Sequence, residues 1–253
     1  MIYLTGDLHR EIYPRLSFDN FPEQRTLTRN DYLIVLGDFG TPWANDPTDR
    51  YILKELENRP FTTLFLDGNH ENFDRLNDYP VVPWCYGTVH YISPHVLHLM
   101  RGQIYIIDGL RIFTFGGAAS HDIEDGILNP YDPDFRHKKQ QLRRANKKHY
   151  RVEHVDWWKE ELPSPTEYNL GWSNLVRAGF SVDTILTHCP PEAVMKQAGH
   201  FETNKLTDFL NAVQKNVTYQ SWYAGHVHKE LHHQNIHTLY ESIVPLTKKE
   251  GAP

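Results

Sequence analysis

Cysteine is nearly absent. Only Cys85 and Cys189 occur in the 253 residues, too few for a disulfide framework and too far apart for a C-x-x-C redox pair. Both are read as reduced, and the lack of clustered thiolates excludes a structural zinc finger or an iron–sulfur cluster. Cys189 directly follows His188, which raises a nucleophile, but it is read as a small buried residue at a strand end. No apolar run is long enough to cross a bilayer, and no charged and apolar leader precedes the first strand. No membrane partner and a cytoplasmic location are therefore expected. A basic surplus is also missing: 26 Lys and Arg against 32 Asp and Glu give a net charge of −6 and no global footprint for nucleic acid. The length suits one large α/β domain, and the strand spacing shows no linker, so residues 1–253 are read as a single domain.

What the chain does contain is five apolar, strand-like runs, each ending in a glycine or threonine and then a metal-capable side chain. They lead into Gly6-Asp7-Leu8-His9, Gly37-Asp38, Gly68-Asn69-His70-Glu71, Thr187-His188 and Gly225-His226-Val227-His228. Ligand sites of open α/β sheets lie beyond the carboxyl ends of the strands, where loops converge. The glycines have no Cβ, so the next side chain can come close to an ion. Asp oxygens together with imidazole nitrogens suit hard or borderline divalent ions. Two such ions roughly 3.5–4 Å apart can share a carboxylate, lower the pKa of a water and clamp a phosphoryl group during in-line attack. Phosphoester hydrolysis is the chemistry this donor set suits.

These five elements, in this order, resemble the signature of the calcineurin-like metallophosphoesterase superfamily: D-x-H, G-D, G-N-H-[ED], H and G-H-x-H. The resemblance spans Asp7 to His228. It implies an α/β fold, an α/β/β/α sandwich of two mixed sheets flanked by helices. It also implies that Asp7, His9 and His228 bind one metal, that Asn69, His188 and His226 bind a second, and that Asp38 bridges them. His70 would be catalytic, stabilising developing charge or protonating the leaving oxygen. The cofactors implied are two divalent ions, with manganese the first choice and iron or zinc as alternatives. The activity implied is hydrolysis of phosphate esters by a hydroxide held between the ions, the substrate being a phosphorylated small molecule, a nucleotide or a nucleic acid. Chain order excludes rivals. An amidohydrolase-type barrel needs its H-x-H at the end of the first strand, and a metallo-β-lactamase needs a compact H-x-H-x-D-H.

The chain departs from the phosphoprotein phosphatase branch, in which G-D-x-x-D-R-G supplies an arginine for the phosphate. Here that stretch reads Gly37-Asp38-Phe39-Gly40-Thr41-Pro42-Trp43. Protein phosphatase activity stays as an alternative, as does a metal-binding scaffold with little activity. Arg10 either replaces the missing phosphate-binding arginine or is a surface arginine at a loop start. His121, in a loop that borders the site in this family, is a candidate substrate contact.

The remaining sequence predicts supporting elements. Asp108-Gly109 between Gln103–Asp108 and Leu110–Phe115 predicts a hairpin within a second sheet. Ser164-Pro165-Thr166-Glu167 is a capping box for a helix that Gly179 stops. Thr203 is read as the cap of a helix over Asn204 to Lys215, and Thr48 to Asn58 as a third crossover helix. Arg136 to Arg151 holds eight Lys and Arg and no Asp or Glu. That is either a solvated helix face or an arm that attracts nucleic acid. Trp157 and Trp158 are read as packing the following helix onto the sheet, with base stacking as the alternative. His90, His95, His98, His232, His233 and His237 are read as surface or hydrogen-bonded residues.

Overall fold

The computed structural model describes residues 1–200 and 203–247. Three of the apolar runs form Ile2–Thr5 (β1), Tyr32–Val35 (β2) and Thr62–Phe65 (β3), which pair in parallel. A meander of Val81–Trp84 (β4), Gly87–Ser93 (β5) and Val96–Leu99 (β6) continues the same sheet, β6 running parallel to β3. Ile104–Ile107 (β7) and Leu110–Phe115 (β8) are the expected hairpin, with Asp108 and Gly109 at φ 52° and 74° as a primed two-residue turn requires.

A short parallel pair, Gly126–Leu128 (β9) and Tyr150–Val152 (β10), follows. Thr184–Thr187 (β11) and Ser221–Ala224 (β12) then join β8 in parallel. Leu231–His233 (β13) and Ile236–Thr238 (β14) complete that sheet, and Ile243–Leu246 (β15) crosses back to lie antiparallel to β1. Among the described residues the result is a seven-stranded mixed sheet, β15-β1-β2-β3-β6-β5-β4, and a six-stranded one, β13-β14-β12-β11-β8-β7.

Helices supply the crossovers. Pro47–Glu57 (α1) joins β2 to β3, and the short Phe73–Asn77 (α2) follows β3. Phe135–Arg144 (α3) lies between β9 and β10, and Pro165–Arg177 (α4) lies between β10 and β11. Glu192–Ala198 (α5) and Lys205–Asn216 (α6) join β11 to β12. Ser164 and Glu167 form the predicted capping box of α4. The cap of α6 is Asn204, not Thr203. The Asn204 side chain accepts the amides of Leu206 and Thr207 at 2.9 and 3.1 Å, and Thr207 Oγ1 accepts the Asn204 amide in return.

Side-chain alternation along the strands builds three apolar layers. Leu4, Ile34, Leu64 and Leu66 meet Tyr105, Ile112 and Leu186 between the two sheets. Their neighbours Tyr3, Leu33, Val35 and Phe65 face α1 and α2, while Phe113, Phe115, Ile185 and Trp222 face α4, α5 and α6. The order is therefore helix, sheet, sheet, helix. Strands buried on both faces need apolar side chains at successive positions, which is why the sequence shows continuous runs there. Trp158 lies in the helix-side core of the first sheet and not under α4. It sits edge-on to Trp43 at 5.3 Å and donates Nε1–H to Asp74 at 2.7 Å.

The basic run splits between α3, which has no buried residue, and the chain leading into β10. Lys138, Lys147 and Arg151 pair with Asp132, Asp125 and Asp122. Among the described residues no helix is long and apolar enough to cross a membrane.

Candidate metal centre

The exits of β1, β2, β3, β11 and β12 converge and are tied together by hydrogen bonds. The amides of Leu8 and His9 donate to the Asp38 carbonyl at 3.1 and 2.7 Å, and Gly225 donates to the His188 carbonyl at 3.0 Å. The carboxylates serve as anchors too: Asp38 Oδ1 accepts the His70 amide at 2.8 Å, and Asp7 Oδ1 accepts the His226 amide at 3.0 Å. These bonds hold His9, Asp38, His226 and His228 at φ 47°, 46°, 69° and 48°. Left-handed backbone costs a non-glycine residue about 1–2 kcal/mol and clusters where function fixes the chain. The glycines give space more than flexibility. A Cβ on Gly68 would lie 2.1 Å from Asp38 Oδ1, one on Gly225 2.4 Å from Asp7 Oδ1, and one on Gly37 2.2 Å from His188 Nδ1.

One cluster is tight. Ligand atoms of Asp7, His9, Asp38 and His228 all lie within 4.8 Å of one another. His9 Nε2 is 3.1 Å from His228 Nε2, and His228 Nε2 is 2.9 Å from Asp7 Oδ2. Asp7 Oδ2 is buried and has no aligned hydrogen-bond donor among the described residues. Burial pushes the Asp7 carboxyl up, but His228, His188 and the His226 amide together hold it below the usual carboxylate range. Two imidazole nitrogens and an orphaned carboxylate oxygen aimed at one point fit a cation.

A second group surrounds Asp38. His188 Nε2 lies 3.3 Å from Asp38 Oδ1 and 3.3 Å from Asn69 Oδ1. His188 Nδ1–H donates to the Leu36 carbonyl at 2.7 Å, which orients the ring so that Nε2 faces both oxygens. The His226 ring centre is 5.0 Å from that of His188. Burial, and then His188 and His121, hold the His226 pKa well below its usual value, so the ring is neutral with a lone pair to offer. The candidate ligands thus form two adjoining groups, Asp7, His9, Asp38 and His228 in one and His188, Asn69 and His226 beside Asp38 in the other. His70 borders the first, half-buried, its ring centre 5.2 Å from that of His9.

The two candidate substrate contacts fare differently. Arg10 turns away to pair with Asp46 at 3.2 Å and Asp49 at 3.1 Å at the start of α1. His121 is drawn in, with its Nε2 2.9 Å from His226 Nε2 and its ring stacked on His200 at 4.4 Å. Cys189 is buried and its thiol is pushed up to about 12, which removes it as a nucleophile.

Three residues that sequence reasoning gave no role hold the site in place. Buried Glu71 accepts the amides of Phe39 and Gly40 at 2.8 and 3.0 Å and so shapes the loop that carries Asp38. Asp67 takes Arg101 Nε–H at 2.7 Å, while its carbonyl accepts the Gly117 amide at 2.8 Å. It thereby ties the loop after β3 to the loop after β8. Arg15 donates to the Asp7 carbonyl at 2.6 Å. The G-N-H-E motif contained Glu71, but no local signal marked the other two.

A sandwich of two mixed sheets flanked by helices carries an aspartate and histidine nest at its strand exits, an arrangement suited to divalent ions. The chain belongs to the calcineurin-like phosphoesterase family, whose description matches residues 1–230. Membership makes it a metal-dependent phosphoesterase and implies divalent metal ions, for which the Asp7, His9, Asp38 and His228 cluster is suited. A search of curated proteins finds no match. Among solved structures it is similar to a phosphopantetheinyl hydrolase, PptH, from Mycobacterium tuberculosis, over 100% of this chain and 98% of that one, with 15% identity and a TM-score of 0.39. So distant a likeness bears on neither substrate nor mechanism.

Proposed function

We propose that the protein hydrolyses phosphate esters with two divalent ions, one held by Asp7, His9 and His228, the other by Asn69, His188 and His226, with Asp38 shared. The observation that carries this reading is the buried Asp7 Oδ2, which has no aligned hydrogen-bond donor among the described residues and lies 2.9 Å from His228 Nε2 in the four-residue cluster. Manganese is the first choice of ion, and iron or zinc suits the same donors. Ions so held would lower the pKa of a water from 15.7 towards roughly 7 and polarise the phosphoryl oxygens.

The protein's own part is to fix geometry and move a proton. His188 presents Nε2 because Leu36 holds Nδ1–H. Glu71 fixes the loop of Asp38. His70, at the half-open rim, delivers a proton or positive charge to the leaving oxygen. A phosphorylated small molecule or nucleotide is the preferred substrate class, on residues 1–253 acting as one domain in the cytoplasm. Nucleic acid is the second reading, favoured by the basic α3, none of whose residues is buried. The pairing of Arg10 with Asp46 and Asp49, beside the missing Asp-Arg motif, weighs against a protein phosphatase.

The test is turnover of p-nitrophenyl phosphate and bis-p-nitrophenyl phosphate by metal-stripped protein reloaded with manganese. Wild type is expected to bind two ions and turn over; preference for the monoester marks a phosphatase and for the diester a phosphodiesterase. Asp38→Asn should lose about 100-fold or more in kcat. Unchanged turnover at full metal content would remove the bridging role. His70→Ala should lose roughly 10²–10⁴-fold in kcat while keeping both ions, and loss of the ions as well would make His70 structural.

A further inference from the structure

A cavity of about 560 Å³ opens directly beside the donor cluster. One wall is the chain leaving β1, with Asp7, His9, Tyr13 and Arg15; the other is the turn before β15, with Tyr240 and Glu241. Both walls are held in shape. Glu230 Oε1 accepts the amides of Tyr240, Glu241 and Ser242 at 3.0, 3.1 and 3.0 Å, which clamps the turn. Tyr240 then stacks on His228, ring centres 4.6 Å apart and planes 18° apart. Arg15 Nη1 donates to the carbonyls of Gly6 at 3.2 Å and Asp7 at 2.6 Å, and its guanidinium carbon lies 5.7 Å from the Tyr240 ring centre. Arg15 is thus fixed through one nitrogen, while its Nε and Nη2 make no hydrogen bond to a described residue.

We infer that this cavity receives the organic part of the substrate, that Arg15 is its specificity-determining residue, and that the substrate is a phosphate monoester of a neutral, planar group of nucleoside size. The inference rests on the phosphoesterase reading above. Position comes first: Asp7 and His9 line both the donor cluster and the cavity, so a group in the cavity is one ester bond from the ions. The size falls within the roughly 300–1,000 Å³ usual for small-molecule sites. Planarity follows from the lining, since guanidinium planes and tyrosine rings are the surfaces on which bases stack, and Tyr13, with the Arg59 guanidinium 5.8 Å from its ring centre, is 57% exposed.

Charge sets the last condition. Beside the candidate ligand Asp7, Glu11 and Glu241 line the cavity with Arg15, two further carboxylates to one guanidinium, so further phosphates on the organic part are repelled. The same carboxylates accept hydrogen bonds from ring amino groups. A nucleoside monophosphate meets these conditions; a nucleoside triphosphate or a nucleic-acid strand does not.

The experiment compares kcat/KM for adenosine 5′-monophosphate, ribose 5-phosphate and adenosine 5′-triphosphate, with p-nitrophenyl phosphate as control. The monophosphate is expected to exceed both others by about tenfold or more. Its lead over ribose 5-phosphate should fall towards parity in Arg15→Leu and in Tyr13→Ala. Equal rates on the monophosphate and ribose 5-phosphate, or a preference that survives both substitutions, overturns the inference. Arg15→Leu removes two bonds to the β1 exit and can disturb folding, so Tyr13→Ala, at an exposed ring, keeps the test decisive. Equilibrium dialysis of adenosine against metal-free protein gives a readout apart from turnover. Binding that weakens about tenfold or more in Tyr13→Ala supports the cavity assignment, and absence of binding overturns it. Turnover of p-nitrophenyl phosphate without base preference defeats this inference alone. No turnover of any ester defeats the phosphoesterase reading, and the dialysis result then decides the cavity by itself.

Discussion

At the scale of single residues, Gly68 shows how little room the centre leaves. A Cβ there would meet Asp38 Oδ1 at 2.1 Å, the Asp38 amide nitrogen at 2.5 Å and His188 Nε2 at 2.8 Å. Gly68→Ala should therefore weaken metal binding about 10- to 100-fold, the range for disturbed ligand positioning, while the far-ultraviolet spectrum stays that of the wild type. Metal titration against a competing chelator measures it, and unchanged affinity would show that the Asp38 loop can yield. The ligand candidates were legible because each sits within a few residues of a strand end, in motifs whose order is distinctive. His121 and Arg15 were not legible in the roles the structure supports. His121 meets His226 across 105 positions, and the surroundings of Arg15 come from a turn more than 200 residues away. Arg10 shows the converse, since its nearness to His9 in sequence says nothing of the aspartates at the start of α1 that hold it.

Among the elements, the strands that carry ligands were the readable ones. β1, β2, β3 and β11 are buried along almost their whole length and so appear as unbroken apolar runs. β4 left no such trace. It is an edge strand, half-exposed, with Pro83 in its middle, and an edge position is where a proline is tolerated. The β5–β6 pair hides a titrating device. His90 and His98 face each other across the ladder, rings stacked at 5.1 Å with Nδ1 atoms 2.8 Å apart, and His98 Nε2 lies 3.0 Å from Asp67 Oδ1. Burial, and then His98, push His90 down to about 4. The unfolded chain, with an ordinary histidine near 6.5, takes up this proton first as pH falls. The stabilisation is complete above about pH 6.5 and is lost as pH drops from there towards 4. His90→Phe should cost about 1 kcal/mol at pH 7 through the unpaired His98 nitrogen. It should also flatten the decline between pH 6.5 and 4. Urea midpoints of metal-free protein at several pH values measure both, and parallel profiles would discount His90.

For the whole molecule, stability and site geometry share one layer. Leu64 sits between the sheets with no exposed surface, next to Ile34 and Leu66 and across from residues of the second sheet. Leu64→Ala should lose about 2–5 kcal/mol, read from urea unfolding. Ligands come from both sheets, so the same variant should also bind its ions more weakly; full affinity at reduced stability would show that the loops hold the centre without the core. The donors are spread along the chain as widely as they are close in space. His9 and His228 touch at 3.1 Å across 219 positions. During synthesis the first seventy residues carry Asp7, His9, Asp38 and Asn69, yet the last two imidazoles emerge only after more than two hundred residues have been made. A polypeptide cut short before Gly225 therefore carries Asp7, His9, Asp38, Asn69 and His188 but neither imidazole of the last motif, and the cluster that His228 completes cannot close.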